Sequence, residues 1–153
     1  MIDKINKIVL INFVGIFLFA LDRFSKNYIF KNPGAFQDFS IKNLLQITFS
    51  RNYNLALGIK INSILLFILI LLSIFLLIYF LYKNYQKQNF TNILIITIVL
   101  CGALSNLLDR FLHGFVIDFI NVPWFSVFNF ADCYIVIGVF TIIVRSYFKK
   151  EII

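Results

Sequence analysis

Four long apolar stretches alternate with polar connections along the chain. The second is uninterrupted, with no charge from Ile61 to Tyr82, between Lys60 and Lys83. The third runs from Gln88 to Leu108, between Lys87 and Asp109. Each is long enough to cross a bilayer, which takes about 20 residues of helix. The first and last are shorter between charges. Fourteen residues separate Lys7 from Asp22, and twelve separate Asp132 from Arg145. To span, each must take a charged residue inside at one end. That places Asp22 late in the first helix and Asp132 early in the fourth. Helices are expected at about 8–28, 61–82, 89–108 and 128–148.

The connections differ in kind. Residues 27–60 are polar and mixed, with Pro33-Gly34 as a turn signal. Within them, Leu44 to Ser50 has β character. Residues 109–127 form a second connection, broken by Pro123, and residues 83–90 form a short basic link. The expected fold is an all-α integral membrane protein. It has four transmembrane helices and a small β-rich region on the membrane surface, in one domain over 1–153. Four spans put Asp22, Asn52, Asp109, Asp118 and Asp132 on one side of the membrane. Asp38 is also on that side, but in ordinary loop sequence. Lysines and arginines divide evenly between the sides, so the positive-inside rule does not orient the chain.

Composition supports lipid as the solvent. Of 153 residues, 61% are hydrophobic and only 14% charged, and twenty are Phe. Mean hydropathy is +0.91. A net charge of +7 fits cations flanking spans and meeting membrane lipids, not nucleic acid. Lys4 and Lys7 before an apolar run have the look of a signal peptide, but Leu18 is not small, so residues 1–20 are expected to stay. Cys101 and Cys133 lie in apolar segments and read as small hydrophobes. One histidine, His113, and no HExxH leave no ligand set for a metal, and no cofactor is expected.

Some polar residues sit where lipid makes them expensive. Asp22 and Lys26 fall at i and i+4 on one helix face, in the favourable order. Two readings stay open: an ion pair with Lys26 snorkelling to the interface, or a positioned cation and carboxylate that hold a site. Asn106 ends the third apolar run, in reach of Asp109 at i+3 and Arg110 at i+4; Gly102 and Ala103 permit close packing. Asp118 stands alone inside the apolar run Phe115–Ile120, on a connection. Asn129 and Asp132 share a face at i and i+3. Two carboxylates without dedicated metal ligands can share one proton, one activating water and the other protonating the leaving group. That is aspartic peptidase chemistry. A proton-coupled small membrane transporter uses similar carboxylates, but it predicts acids at mid-span or on both sides.

The ordered set Asp22-Arg-Phe-Ser-Lys26, Arg51-Asn-Tyr-Asn-Leu-Ala56, Gly102-Ala-Leu-Ser-Asn-Leu-Leu-Asp-Arg110, Val116-Ile-Asp-Phe-Ile120 and Phe128-Asn-Phe-Ala-Asp132 resembles the bacterial lipoprotein signal peptidase family, signal peptidase II. The resemblance implies a four-helix inner-membrane aspartic endopeptidase with an extracytoplasmic β-rich region and both termini cytoplasmic. It implies diacylglyceryl-modified prolipoproteins as substrates, cut before the lipidated cysteine, and globomycin-type inhibitors. It puts the catalytic pair on Asp118 and Asp132, and support on Asp22, Lys26, Asn52, Asn106, Asp109, Arg110 and Asn129. Departures are Asn54, Cys101 and Ser105, where the family usually has Gly, and Leu57, where it usually has Phe. Asn tolerates left-handed backbone better than other non-glycine residues, so a turn at Asn54 is expected to survive.

Overall fold

The computed structural model describes residues 2–36, 39–41, 44–54 and 62–149. Asp38, Leu57, and Leu55 and Ala56 of the second motif lie outside these. Among the described residues, four helices are long and apolar enough to cross a membrane. They are α1 (Ile2–Lys31), α2 (Ser63–Gln86), α3 (Phe90–His113) and α4 (Phe130–Lys149). Three short strands join them: β1 (Ser40–Ile41), β2 (Leu45–Asn52) and β3 (Val116–Asn121).

The helices run longer than their apolar stretches, for local reasons. In the first turns of α1, Lys7 pairs with Asp3 at i+4, 2.8 Å apart, which keeps polar residues helical. At its other end α1 continues past Asp22 and Lys26 because both find partners inside the bundle. The α2 helix starts at Asn62, whose side chain accepts from the Ile64 amide at 2.9 Å, satisfying one of the free N–H groups of the first turn. Asn89 caps α3 in the same way, accepting from the Asn92 amide at 3.2 Å. The α3 helix passes Leu108 and ends at Gly114, whose φ of 77° is the left-handed stop that glycine takes most readily. Asp109 and Arg110 therefore belong to the helix, not to the following connection as expected.

α3 is the hub. The other three helices pack on it, while α1 makes few contacts with α4. In lipid, apolar contact alone gives little association, so close approach matters more. At the α3–α4 seam a Cβ on Gly102 would fall 2.6 Å from the Ala131 carbonyl oxygen. Only glycine allows that approach.

The strands form one antiparallel sheet in the order β1-β2-β3. β3 falls where the sequence pattern shows only a connection. Residues 116–120 are all buried, so no alternation of apolar and polar residues marks the strand. The register sets Ser50 opposite Asp118 and Asn52 opposite Val116, with an irregularity between Ile47 and Ser50. Phe119 and Ile120 pack with Ile29 of α1, and Phe128 and Phe130 close over them. That cluster fixes the sheet to the end of the bundle.

Candidate active site

The start of α4 is built around Asn129. Its Oδ1 accepts from the Asp132 amide at 2.9 Å, and Asp132 Oδ2 accepts from the Asn129 amide at 3.3 Å. This reciprocal capping box satisfies two free N–H groups of the helix terminus. Asp22 satisfies a third, its Oδ1 accepting from the Ala131 amide at 2.9 Å. The position of Asp132 is thus set by the helix start itself. The positive end of the helix dipole also faces its carboxylate.

Asp118 approaches from β3. Strand alternation puts Ser50 and Asn52 on one face, and Asp118 pairs with Ser50, so Asn52 lies diagonally within reach. Its Nδ2 donates to Asp118 Oδ2 at 2.9 Å. Asn129 Nδ2 donates to Asp118 Oδ1 at 2.6 Å. One asparagine therefore holds both carboxylates, Asp118 through its side chain and Asp132 through its backbone. Asn106 Nδ2 gives Asp132 Oδ1 a second bond, at 2.8 Å. Asp118 is buried, at 1% exposure, while Asp132 is half-buried. Burial, and then the neighbouring Asp132 charge, push the Asp118 carboxyl up to about 7. The hydrogen bonds from Asn52 and Asn129 and the charge of Lys26 pull the other way.

Behind this pair lies an ionic network. Lys26 is fully buried and does not snorkel. Its Nζ donates to Asn106 Oδ1 at 2.7 Å and lies 2.9 Å from Asp22 Oδ2 and 3.1 Å from Asp109 Oδ2. Three acceptors meet three ammonium protons. Each acceptor leads onward. Asp22 holds α4 at Ala131. Asp109 Oδ2 accepts from the Ile117 amide at 3.1 Å, beside Asp118. Asn106 bonds Asp132 directly. Lys26 thus ties together the supports of both aspartates.

All nine residues singled out in the sequence meet here, with some partners other than expected. Asn106 does not bond Asp109 within its helix; it reaches across to Lys26 and Asp132. Arg110 Nη1 donates to the Asn106 backbone carbonyl at 3.4 Å, and its Nη2 to the Asn54 carbonyl at 3.0 Å. Asn54 does not take left-handed backbone; its amide donates to Asn52 Oδ1 at 2.9 Å, a side-chain turn that serves instead. Two residues escaped the sequence reading. Arg23 pairs with Asp109 Oδ1. Ser105, noted only as a glycine replacement, donates to Asp22 Oδ2 at 2.6 Å and is fully buried. The signal for both was an excess of carboxylate oxygens over the donors assigned to them. Cys101 and Cys133 are free thiols, half-buried. Among the described residues no group of three His, Cys, Asp or Glu is placed to hold a metal ion.

The family model described as Signal peptidase (SPase) II matches residues 14–148. The chain belongs to the signal peptidase II family. Relatives named lipoprotein signal peptidase include that of Wigglesworthia glossinidia brevipalpis, 38% identical over 134 residues, covering 83% of this chain and 87% of the relative. That of Staphylococcus carnosus (strain TM300) is 33% identical over 144 residues, covering 91% of each. A solved bacterial membrane enzyme, determined by the in meso method at 2.3 Å resolution, has a TM-score of 0.81 at 31% identity and covers 94% of this chain and 91% of that chain. A second, at 1.9 Å, has a TM-score of 0.77 at 32% identity, covering 93% and 94%. A signal peptidase II is a peptidase, and the four membrane-length helices fit a multi-pass bacterial membrane protein.

Proposed function

We propose that this chain is an aspartic endopeptidase of the inner membrane. It removes signal peptides from prolipoproteins and cuts just before a diacylglyceryl-modified cysteine. The observation that carries the reading is the Asn129 bridge. Two carboxylates on different elements are held by one residue, without an ion pair to either among the described residues. In this reading Asp118 carries the shared proton, because it is the more buried of the two. Asp132 takes a proton from water as the water oxygen adds to the scissile carbonyl carbon. Asp118 gives its proton to the carbonyl oxygen. When the intermediate collapses, Asp132 returns its proton to the leaving cysteine nitrogen, and Asp118 recovers one from the gem-diol. No metal or cofactor enters these steps.

Depth supports the substrate. Asp132 lies in the first turn of α4, where a span begins. A lipidated cysteine keeps its acyl chains in the bilayer, each buried CH₂ contributing about 0.8 kcal/mol, so its peptide bond is held near the membrane boundary. Termini in the cytoplasm and the site at the outer face follow from this assignment. Globomycin-type inhibitors are expected to compete with substrate between the aspartates. The test is cleavage of one precursor with and without its diacylglyceryl group, in the same nanodiscs. The lipidated form should show much the higher kcat/KM, because anchored chains fix depth and register. Equal values for the two forms would reject the lipoprotein assignment.

A further inference from the structure

We propose that the turn Val122–Phe125 is an interfacial anchor, with Trp124 seated in the lipid headgroup region of the membrane the helices cross. Trp124 is the largest apolar side chain in the chain and is 104% exposed, so no part of the described protein covers it. Its φ is 69°, left-handed backbone that non-glycine residues avoid. The Phe125 amide closes the turn onto the Val122 carbonyl at 3.1 Å, with Pro123 and Trp124 at the centre. Glycine or asparagine ordinarily takes the position Trp124 holds there. The turn therefore presents, at its tip, a ring that water disfavours.

Three further observations choose lipid as the occupant. From Phe119 to Ala131, the whole segment between the two aspartates, no residue is charged. Its ends are buried in the protein, but Pro123, Trp124 and Phe125 are exposed, where water would favour polar residues. The α4 span starts at Phe130, six residues beyond Trp124, and six residues extend at most about 20 Å. Part of that length is folded back, since the Phe128 amide bonds the Ile120 carbonyl at 3.0 Å. The turn thus lies close to where α4 enters the bilayer. Finally, the apolar surface is continuous. The Phe125 ring meets Phe128 edge-on at 5.8 Å, and Phe128 and Phe130 pack on the cluster that joins the sheet to α1. Tryptophan is enriched at membrane–water interfaces because its ring is apolar and its N–H can still reach polar groups.

The chain has a single tryptophan, so the unmodified protein reports on this position by its own fluorescence, without any cleavage. Reconstituted in phosphatidylcholine–phosphatidylglycerol vesicles, it should emit to the blue of tryptophan in water and resist quenching by iodide. Lipid brominated near the glycerol should quench it severalfold more than lipid brominated near the chain end. Emission at the wavelength of tryptophan in water, quenched freely by iodide and untouched by either lipid, would overturn the anchor. Stronger quenching by the chain-end bromine would also overturn it, by placing the ring in hydrocarbon. A blue shift and loss of iodide quenching that appear only when a prolipoprotein is added would reassign the ring to substrate contact.

Discussion

Asp22 and Asp109 on one hand, and Asp118 and Asp132 on the other, are the same residue type at the same end of one bundle. Their surroundings differ most in the charge of their partners. Asp22 and Asp109 are fully buried and face cations, Lys26 between them and Arg23 on the outer oxygen of Asp109. Asp118 and Asp132 face amides, the donors being Asn52, Asn106 and Asn129. A cation between two carboxylates ties them together and makes them struts. An amide fixes a carboxylate's position but leaves the proton free to come and go. On the proposed mechanism the network separates holding from reacting, with Asn106 bonded to both Lys26 and Asp132.

The largest expected effect breaks the reacting pair. Asp118→Asn and Asp132→Asn each keep the shape of the side chain but cannot act as base or share a proton. Loss of proton transfer should lower cleavage by about a thousandfold or more, while each variant still inserts and elutes as the parent does. Turnover within tenfold of the parent in either variant would remove the aspartic mechanism.

Next comes the holding pair. Lys26→Met leaves two buried carboxylates facing each other with one cation fewer. Removing one member of a buried ionic group costs about 3–5 kcal/mol, so thermal unfolding in detergent should begin well below that of the parent. An unchanged melting temperature would mean that Lys26 is no strut.

A smaller effect concerns pH and Asp118 alone. The Asp118 carboxyl is raised to about 7 from 3.8, so the folded protein keeps a proton there after the unfolded chain has lost its own. Its contribution to stability is fully present below about pH 4 and is lost as pH rises through about 7. Melting temperature followed across that window should fall for the parent. The Asp118→Asn variant should show a shallower slope, because it has no proton to lose there. Identical slopes would mean that Asp118 titrates normally.

What the sequence disclosed follows from what is local. The spacing of Asp22 and Lys26 is a property of one helix turn, and of its two readings the buried pair forms, not the snorkelling one. The capping of Asp132 by Asn129 is equally local. Non-local partners were not legible. Asn106 has helical neighbours at i+3 and i+4, yet its bonds go to Lys26 and Asp132, 80 and 26 residues away. Arg23 follows Asp22 in the chain, and nothing beside it shows that Asp109 will face it. β3 was missed because a strand buried on both faces has no period of two to read. Counting spans already puts Asp22, Asn52, Asp109, Asp118 and Asp132 on one side; the motif resemblance adds the division of roles among them.

One contact joins the first span to the fourth. The Ala131 amide donates to Asp22 across 109 residues of chain, from the fourth span back to the first. During synthesis the first span waits in the bilayer, its carboxylate without this partner, until the fourth arrives. Until then Asp132 has no fixed place and no pair is assembled. On the proposed aspartic mechanism the chain is therefore inert until that contact forms. On that mechanism the pair is completed by the same step that seats the fourth span against the first.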